Sequence, residues 1–207
     1  MVGKPRERAG AVRPLRADAQ RNRDAVLTAA REVFAEDSVL APLDTIAVRA
    51  GVGNATLYRH FPTREDLLSA VMASSITDAV ALGEELARTE DPSAALREWL
   101  VHLAWLLRIW HDLPYCLADA HVDPSSPVAP STACLVAQTR LLLDGARTVG
   151  AARPDAAADE VFELVTALSW AIDRFGDDEG AARRRVLLAT AGLTGGGWPE
   201  DDDGPTA

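Results

Sequence analysis

The chain has few cysteines and no long uninterrupted apolar run. Its 207 residues include two cysteines, Cys116 and Cys134, which excludes a disulfide framework and predicts a reduced environment. The most apolar stretch, residues 99–110, is interrupted by His102 and Arg108, so it does not predict a membrane span. The N-terminus is basic, but no apolar core of signal-peptide length follows it. We therefore expect a soluble cytoplasmic protein without a membrane partner.

Basic residues are scarce relative to acidic ones. The chain has 21 Lys and Arg against 31 Asp and Glu, a formal net charge of −10. An evenly distributed negative charge would repel nucleic acid. However, residues 1–64 hold 11 basic and 7 acidic residues, a net of +4, and the remainder carries −14. This asymmetry is compatible with nucleic-acid binding by the first part of the chain, although solvated surfaces alone would also produce it.

Strand patterns and catalytic motifs are also missing. The sequence has no alternating β-branched run, no Gly-rich phosphate loop, no Gly-x-Ser-x-Gly and no credible Cys–His pair. Histidines and carboxylates at 111–112 and 119–123 raise the alternative of a helical metal-dependent hydrolase. Their spacing matches no ligand signature, and they flank proline-containing turns, where exposed Asp and His are ordinary. We predict an all-α protein that is not an enzyme and holds no metal or cofactor.

Residues 43–61 predict two short helices joined by a glycine turn. Four apolar residues lie on one face of the first helix, at i, i+3, i+4 and i+7. These residues are Leu43, Ile46, Ala47 and Ala50. Either Asp44 or Thr45 is expected to cap this helix, and Gly51 follows its last apolar position, where a left-handed backbone favours glycine.

The second helix is predicted over residues 54–61, with Leu57 and Phe61 facing inward. Its outward face then carries polar side chains. These are Thr56, Tyr58, Arg59 and His60. A short helix, a tight turn and a second helix with a polar outer face is typical of a helix-turn-helix, which places its second helix in the DNA major groove.

The motifs Thr-Ile-Ala-x-x-Ala-Gly-Val (45–52), Thr-Leu-Tyr-Arg-His-Phe (56–61) and Thr-Arg-Glu-x-Leu-Leu (63–68) resemble the DNA-binding domain of the tetracycline-repressor (TetR) family. The resemblance extends over about residues 21–71, roughly a quarter of the chain. Gly53 departs from the pattern, because the family often has serine there. We expect Asn54 to take over the capping role.

The resemblance implies roles for individual side chains. Thr45, Tyr58 and His60 match positions that contact the DNA backbone. Arg49 and Arg64 are further candidates for phosphate contacts. Four residues are expected to approach base edges, with Arg59 suited to guanine and the Thr56 methyl to thymine. The four are Asn54, Ala55, Thr56 and Arg59.

The predicted fold is an N-terminal three-helix helix-turn-helix DNA-binding domain followed by a larger helical ligand-binding and dimerisation domain, about nine helices in total. The predicted segments are a flexible basic arm (1–19), the DNA-binding domain (20–65), the effector-binding and dimerisation domain (66–194) and a disordered acidic tail (195–207). Thr63 and Asp66 predict a capping box before a fourth helix that continues to about residue 88. A helix of that length is expected to act as a lever between the domains.

The second predicted domain is rich in tryptophan, which suits a pocket for an apolar or aromatic effector. Packing of aromatic side chains in an ordinary core explains the same pattern. The candidate lining residues are Met72, His102, Trp105, Leu106, Trp110, Cys116, His121 and Trp170.

The resemblance also implies a homodimer in which helices from residues 155–193 of each subunit form a four-helix bundle. Apolar stripes on these helices could instead face their own core. The candidate interface residues are Val161, Val165, Leu168, Ile172, Val186 and Ala189.

These features together predict a homodimeric transcriptional regulator. The expected partners are double-stranded DNA with a palindromic operator and an unidentified small apolar or aromatic effector that releases a repressor. The alternatives are a constitutive DNA-binding regulator without a pocket, an activator that binds DNA in the same way, and the less favoured hydrolase.

Overall fold

The computed structural model describes residues 12–108 and 112–194, and within them the chain forms ten α-helices. The all-α prediction is confirmed. The helices are α1 (Val12–Glu36), α2 (Leu43–Ala50), α3 (Asn54–His60), α4 (Arg64–Thr89), α5 (Pro92–Leu107), α6 (Leu113–Val122), α7 (Ala129–Thr148), α8 (Ala158–Phe175), α9 (Glu179–Ala189) and α10 (Ala191–Thr194). The chain divides into a first unit that ends at Val71 and a second that begins at Met72.

The first unit consists of α1, α2, α3 and the start of α4. Apolar residues of α1 pack against those of α2 and α3. The buried side chains include Val26, Val33 and Phe34 of α1, Ile46 of α2 and Leu57 of α3. One amphipathic helix therefore covers the inner faces of two short ones, which could not form a core alone.

The first helix begins earlier than predicted. It starts at Val12 rather than near residue 19, so residues 12–18 of the predicted arm are helical. Pro14 lies in the first turn, where a missing N–H leaves no intrahelical hydrogen bond unmade. Residues 1–11 of the predicted arm, and the predicted tail at 195–207, lie outside the described residues.

The turn between α2 and α3 has the predicted glycine geometry. Gly51 has a φ of 68°, and Val52 N donates to Ala47 O at 3.0 Å. This pattern closes a helix by satisfying its last free carbonyls. The predicted side-chain cap by Asp44 or Thr45 is wrong, because α2 begins at Leu43 and Thr45 N donates to Pro42 O.

The capping box before α4 is confirmed. Thr63 N donates to Asp66 Oδ2 at 3.0 Å, and Asp66 N donates to Thr63 Oγ1 at 3.1 Å. Among the described residues, α4 is the one helix long and apolar enough to cross a membrane. Its apolar stripe is buried within protein, with Leu67 and Leu68 in the first unit and Ile76 in the second. This burial identifies α4 as a core helix.

Helix α5 lies at the centre of the second unit and packs against α7, α8 and α9. Trp99 is fully buried, and its Nε1 donates to Thr139 Oγ1 at 2.9 Å. That bond satisfies an indole N–H that could not reach water. The helix ends at Leu107, before the predicted end near residue 112. Asp112 has a φ of 65°, and Pro114 lies in the first turn of α6.

The C-terminal helices also differ at their ends from the prediction. α8 begins at Ala158 rather than near residue 155, after a turn that contains Pro154. α9 begins two residues earlier than expected because Asp178 caps it by accepting a hydrogen bond from Ala181 N at 2.7 Å. The predicted last helix is divided into α9 and α10.

Candidate nucleic-acid interface and effector clefts

The outer face of α3 carries polar side chains on a helix that is anchored from its inner side. Leu57 and Phe61 are 1% and 2% exposed and belong to the core of the first unit. Arg23 of α1 places its guanidinium 5.4 Å from the centre of the Phe61 ring, which adds a cation–π contact at the end of α3. The predicted DNA-facing residues occupy the opposite side. Asn54, Ala55, Tyr58 and Arg59 are exposed, and Thr56 and His60 are half-buried.

A hydrogen bond between side chains joins α2 to α3. Asn54 Nδ2 donates to Asp44 Oδ1 at 2.7 Å. Asn54 therefore does not cap α3, contrary to the prediction. The N-cap residue is Gly53, whose carbonyl accepts from Thr56 N at 2.8 Å. The sequence could not reveal the Asn54–Asp44 pair. The two residues are ten positions apart in the chain, and they meet only because α2 and α3 cross at this point.

Both arginines predicted to contact phosphate have partners within the first unit. Arg49 Nη1 lies 2.6 Å from Glu36 Oε2, and hydrogen bonding to that carboxylate raises the pKa of Arg49. Arg64 Nη1 donates to the carbonyls of Val39 and Ala41 at 2.7 and 2.6 Å. Arg64 thereby fixes the loop before α2. This positioning role was not predicted, and it competes with a phosphate contact.

The other residues predicted to contact the DNA backbone differ in exposure. Thr45 is exposed on α2, and the Tyr58 side chain is 46% exposed on α3. His60 Nε2 is buried and has no hydrogen-bond partner among the described residues. A phosphate contact from His60 would therefore use Nδ1.

In the second unit, a cleft of about 240 Å³ lies between α4, α5 and α9. We call it the α4–α5–α9 cleft. Its lining residues are Leu82, Leu86, Glu98, Val101, His102, Trp105, Glu179, Ala182 and Arg183. The lining is apolar on the α4 side and carries charged groups towards α9.

An ion pair joins two walls of this cleft. Arg183 Nη1 donates to Glu98 Oε2 at 2.7 Å, and Arg183 Nη2 contacts Glu98 Oε1. The hydrogen bonds from Arg183 lower the pKa of Glu98. Burial lowers the pKa of His102 from 6.5, because the charged imidazolium loses hydration. His102 is therefore neutral at pH 7.

A second cleft, of about 340 Å³, lies between α6, α7 and α8. We call it the α6–α7–α8 cleft. Asp159 Oδ2 accepts a hydrogen bond from Arg140 Nη2 at 2.9 Å, and His121 Nε2 lies 3.5 Å from Glu163 Oε1. No group of three or more His, Cys, Asp or Glu side chains that could hold a metal is found in the described part of the chain.

The predicted effector residues are divided between these two clefts and positions outside them. His102 and Trp105 line the α4–α5–α9 cleft, whereas His121 lines the α6–α7–α8 cleft. Met72 is buried and the Trp170 side chain is 54% exposed, and neither of these two lines either cleft. Leu106 and Cys116 are half-buried outside both, and Trp110 lies outside the described residues. Helical periodicity assigned these side chains to faces, but the packing of other helices determined which faces enclose space.

Two family models match the chain. Residues 26–71 match the DNA-binding model of the bacterial regulatory proteins of the tetR family. Residues 91–195 match the C-terminal domain of SbtR-like transcriptional regulators.

The chain belongs to the TetR family of transcriptional regulators. TetR regulators are non-enzymatic DNA-binding proteins. A search of curated proteins found no match.

Solved structures of TetR regulators have the same fold. A regulator from Streptomyces coelicolor is 29% identical with a TM-score of 0.56, and the match covers 84% of this chain and 99% of that one. A regulator from Mycobacterium vanbaalenii is 30% identical with a TM-score of 0.51, with coverage of 87% and 99%. LfrR from Mycobacterium smegmatis, in complex with proflavine, is 26% identical with a TM-score of 0.57, with coverage of 86% and 99%.

The predicted dimer-interface residues of this TetR regulator mostly face its own core. Four of the six are at most 4% exposed, so they are not available on the surface of the subunit. These four are Val161, Val165, Ile172 and Val186. Leu168 is half-buried and Ala189 is exposed. The predicted stripe of α8 therefore lies mainly on the inward-facing side of that helix.

Proposed function

We propose that this TetR regulator is a homodimeric repressor that a small apolar or aromatic effector releases from a palindromic operator. The observation that carries the proposal is the polar outer face of α3, anchored by Leu57 and Phe61, in a chain that belongs to a family of DNA-binding regulators. LfrR, a relative at 26% identity, was solved with the aromatic compound proflavine, which supports an aromatic effector.

In the proposed complex, α3 of each subunit lies in the major groove. Arg59 reads a base edge, and the exposed hydroxyl of Tyr58 contacts a phosphate. Half-sites on one face of B-DNA lie about 34–36 Å apart, or a multiple of that distance. A small change in the separation of the two α3 helices therefore weakens the contacts at both half-sites.

The effector acts through a linkage between two states of the dimer. A ligand that contacts α4 in the second unit would shift this helix and alter the separation of the recognition helices. Effector and operator then weaken each other's binding by the same factor, typically a coupling of about 1–3 kcal/mol.

A different face of α8 and α9 suits the proposed dimer. Leu164 and Phe175 of α8 and Leu188 of α9 are 40%, 67% and 80% exposed. Leu164, Leu168, Ala171 and Phe175 follow at i, i+4, i+7 and i+11, which is a single helical face. Small Ala167 borders this face and allows close approach of a partner helix.

The test is selection of bound sequences from random duplex DNA, followed by anisotropy titration of the selected site at several salt concentrations. A palindrome bound with a steep negative salt slope is expected, because bound phosphates release counterions. A folded dimer that enriches no sequence at low salt would contradict the proposal. Operator binding that no aromatic compound weakens would instead favour the constitutive regulator.

A further inference from the structure

We propose that the α4–α5–α9 cleft is the effector site and that its ligand is a small planar aromatic cation. The inference rests on the proposed ligand-responsive function. It adds the position of the site, the side chains that hold the ligand and the charge of the ligand.

The walls of the cleft suit a small flat ring system. Leu82 and Leu86 of α4 face Val101 and Trp105 of α5 across a volume of about 240 Å³. Sites for drug-sized ligands usually enclose about 300–1,000 Å³, so this one fits a smaller molecule. The Arg108 guanidinium lies 3.3 Å from the centre of the Trp105 ring and covers part of that ring. The remaining surface of Trp105 lines the cleft and is available for stacking with a ligand ring.

The lining carries an excess of negative charge. Glu98 and Glu179 supply two carboxylates, and Arg183 supplies one guanidinium that is already paired with Glu98. Glu179 has no ion-pair partner among the described residues and remains free to pair with a cation. His102 is neutral at pH 7 and adds no opposing charge. An anionic aromatic ligand would meet the carboxylate of Glu179, and Arg108, which lies over Trp105, is not among the lining residues.

His102 adds a hydrogen-bonding group beside the aromatic wall. The cleft reaches its half-buried ring, which makes no hydrogen bond to the described residues. A neutral imidazole has one acceptor nitrogen and can accept a hydrogen bond from a ring amino group of the ligand. Apolar stacking on Trp105, a hydrogen bond to His102 and an ion pair with Glu179 together define the ligand class.

The position of the cleft also connects the ligand to the helix that follows the DNA-binding motif. Leu82 and Leu86 belong to α4, which begins at Arg64. Ligand binding therefore stabilises one arrangement of α4 against α5 and α9 over others. The α6–α7–α8 cleft has no α4 residue in its lining.

The test is a fluorescence titration of proflavine, a planar aromatic cation, with the full-length protein and without DNA, because such cations also bind duplex DNA. We expect saturable binding by the wild type and weaker binding of 1-naphthoate, an aromatic anion. Trp105→Ala should weaken proflavine binding roughly tenfold through lost stacking. Glu179→Gln should weaken it about three- to fivefold, in keeping with one exposed ion pair.

Matched variants separate the two clefts. Glu163→Gln removes an exposed carboxylate near His121, and His121→Ala opens the α6–α7–α8 cleft; both should bind proflavine as the wild type does. Leu86→Phe fills the α4–α5–α9 cleft from α4 without removing a core side chain, and it should abolish binding even if Trp105→Ala proves unstable.

Wild-type affinity in Glu179→Gln and Leu86→Phe, loss of binding only in His121→Ala, or no binding to the wild type would each overturn the assignment. Operator selection is measured separately. A protein that binds proflavine in this cleft but selects no DNA would refute the proposed regulatory function, and one that selects DNA but binds the probe elsewhere would refute the site alone.

Discussion

At the scale of single residues, the outer face of α3 carries side chains that we propose to contribute to DNA binding in different ways. Tyr58 and Arg59 are adjacent and both exposed. A contact to phosphate contributes affinity without sequence information, whereas a bidentate contact to guanine distinguishes bases. Asn54 is partly committed to Asp44, so Arg59 is the stronger candidate for a direct base contact.

We therefore predict that Tyr58→Ala and Arg59→Ala affect operator binding in different ways. Tyr58→Ala should weaken binding to all operator variants similarly, and Arg59→Ala should cost about 1–3 kcal/mol mainly at one base position. Anisotropy titration against a set of single-base operator variants measures both effects. An equal loss at every variant from Arg59→Ala would remove its base-reading role.

His102 makes stability dependent on pH. Burial lowers its pKa in the folded protein below 6.5, so the unfolded chain binds this proton more readily. The contribution of neutral His102 to the free energy of unfolding is complete above pH 6.5. It is lost as the pH falls from 6.5 through the pKa of His102 in the folded protein. Other charged side chains line the same cleft, namely Glu98, Glu179 and Arg183. Their effect on the pH dependence of stability is the same in wild type and in a His102 variant, so the comparison of the two isolates the effect of His102.

Urea unfolding at pH 7.5 and pH 5.5 checks this expectation. Wild-type protein should lose more free energy of unfolding between these values than His102→Gln does. Equal losses would mean that the half-buried ring is hydrated well enough to be protonated in the folded state.

At the scale of elements, the turn between α2 and α3 depends on Gly51 and not on Gly53. Gly51 has a φ of 68°, whereas Gly53 has a φ of −74°, and a Cβ at either position would meet no atom within 4 Å. Any cost of alanine at Gly51 therefore comes from backbone conformation rather than from a clash.

We predict that Gly51→Ala lowers the free energy of unfolding by about 1–2 kcal/mol and that Gly53→Ala lowers it by less than half as much. Thermal or urea unfolding followed by circular dichroism compares the two variants. Equal effects would show that the left-handed conformation is not the cause.

At the scale of the whole molecule, the proposed dimer must use side chains that a single subunit leaves on its surface. Buried Val165 and Ile172 stabilise their own core, whereas Leu164 and Leu188 are exposed. A buried apolar side chain cannot contribute the same surface to a partner without opening the core.

We predict that Leu164→Glu and Leu188→Glu shift the protein from dimer to monomer and weaken operator binding. Leu141→Glu is the matched control, because Leu141 is 50% exposed on α7 and lies outside the proposed interface. Sedimentation velocity at several protein concentrations measures the assembly. A dimer that tolerates both α8 and α9 substitutions, or dissociates only with Leu141→Glu, would refute this interface.

The sequence by itself determined the features that depend on neighbours along the chain. The Gly51 turn, the Thr63–Asp66 capping box and the alternation of inward and outward residues on α3 are set by helical periodicity and local hydrogen bonding. The family motif lies within the same continuous stretch, which is why the DNA-binding domain was recognisable without coordinates.

Only the tertiary structure decided which partner each helical face meets. Periodicity placed Val165 on an apolar stripe, and the packing of α8 against α5 and α7 buries that residue in the core of its own unit. The Asn54–Asp44 bond, the binding of Arg64 to loop carbonyls and the separation of His102 from His121 likewise depend on contacts between segments distant in sequence. A single helix specifies the direction of a side chain, and the surrounding helices determine whether that direction leads to core, cleft or solvent.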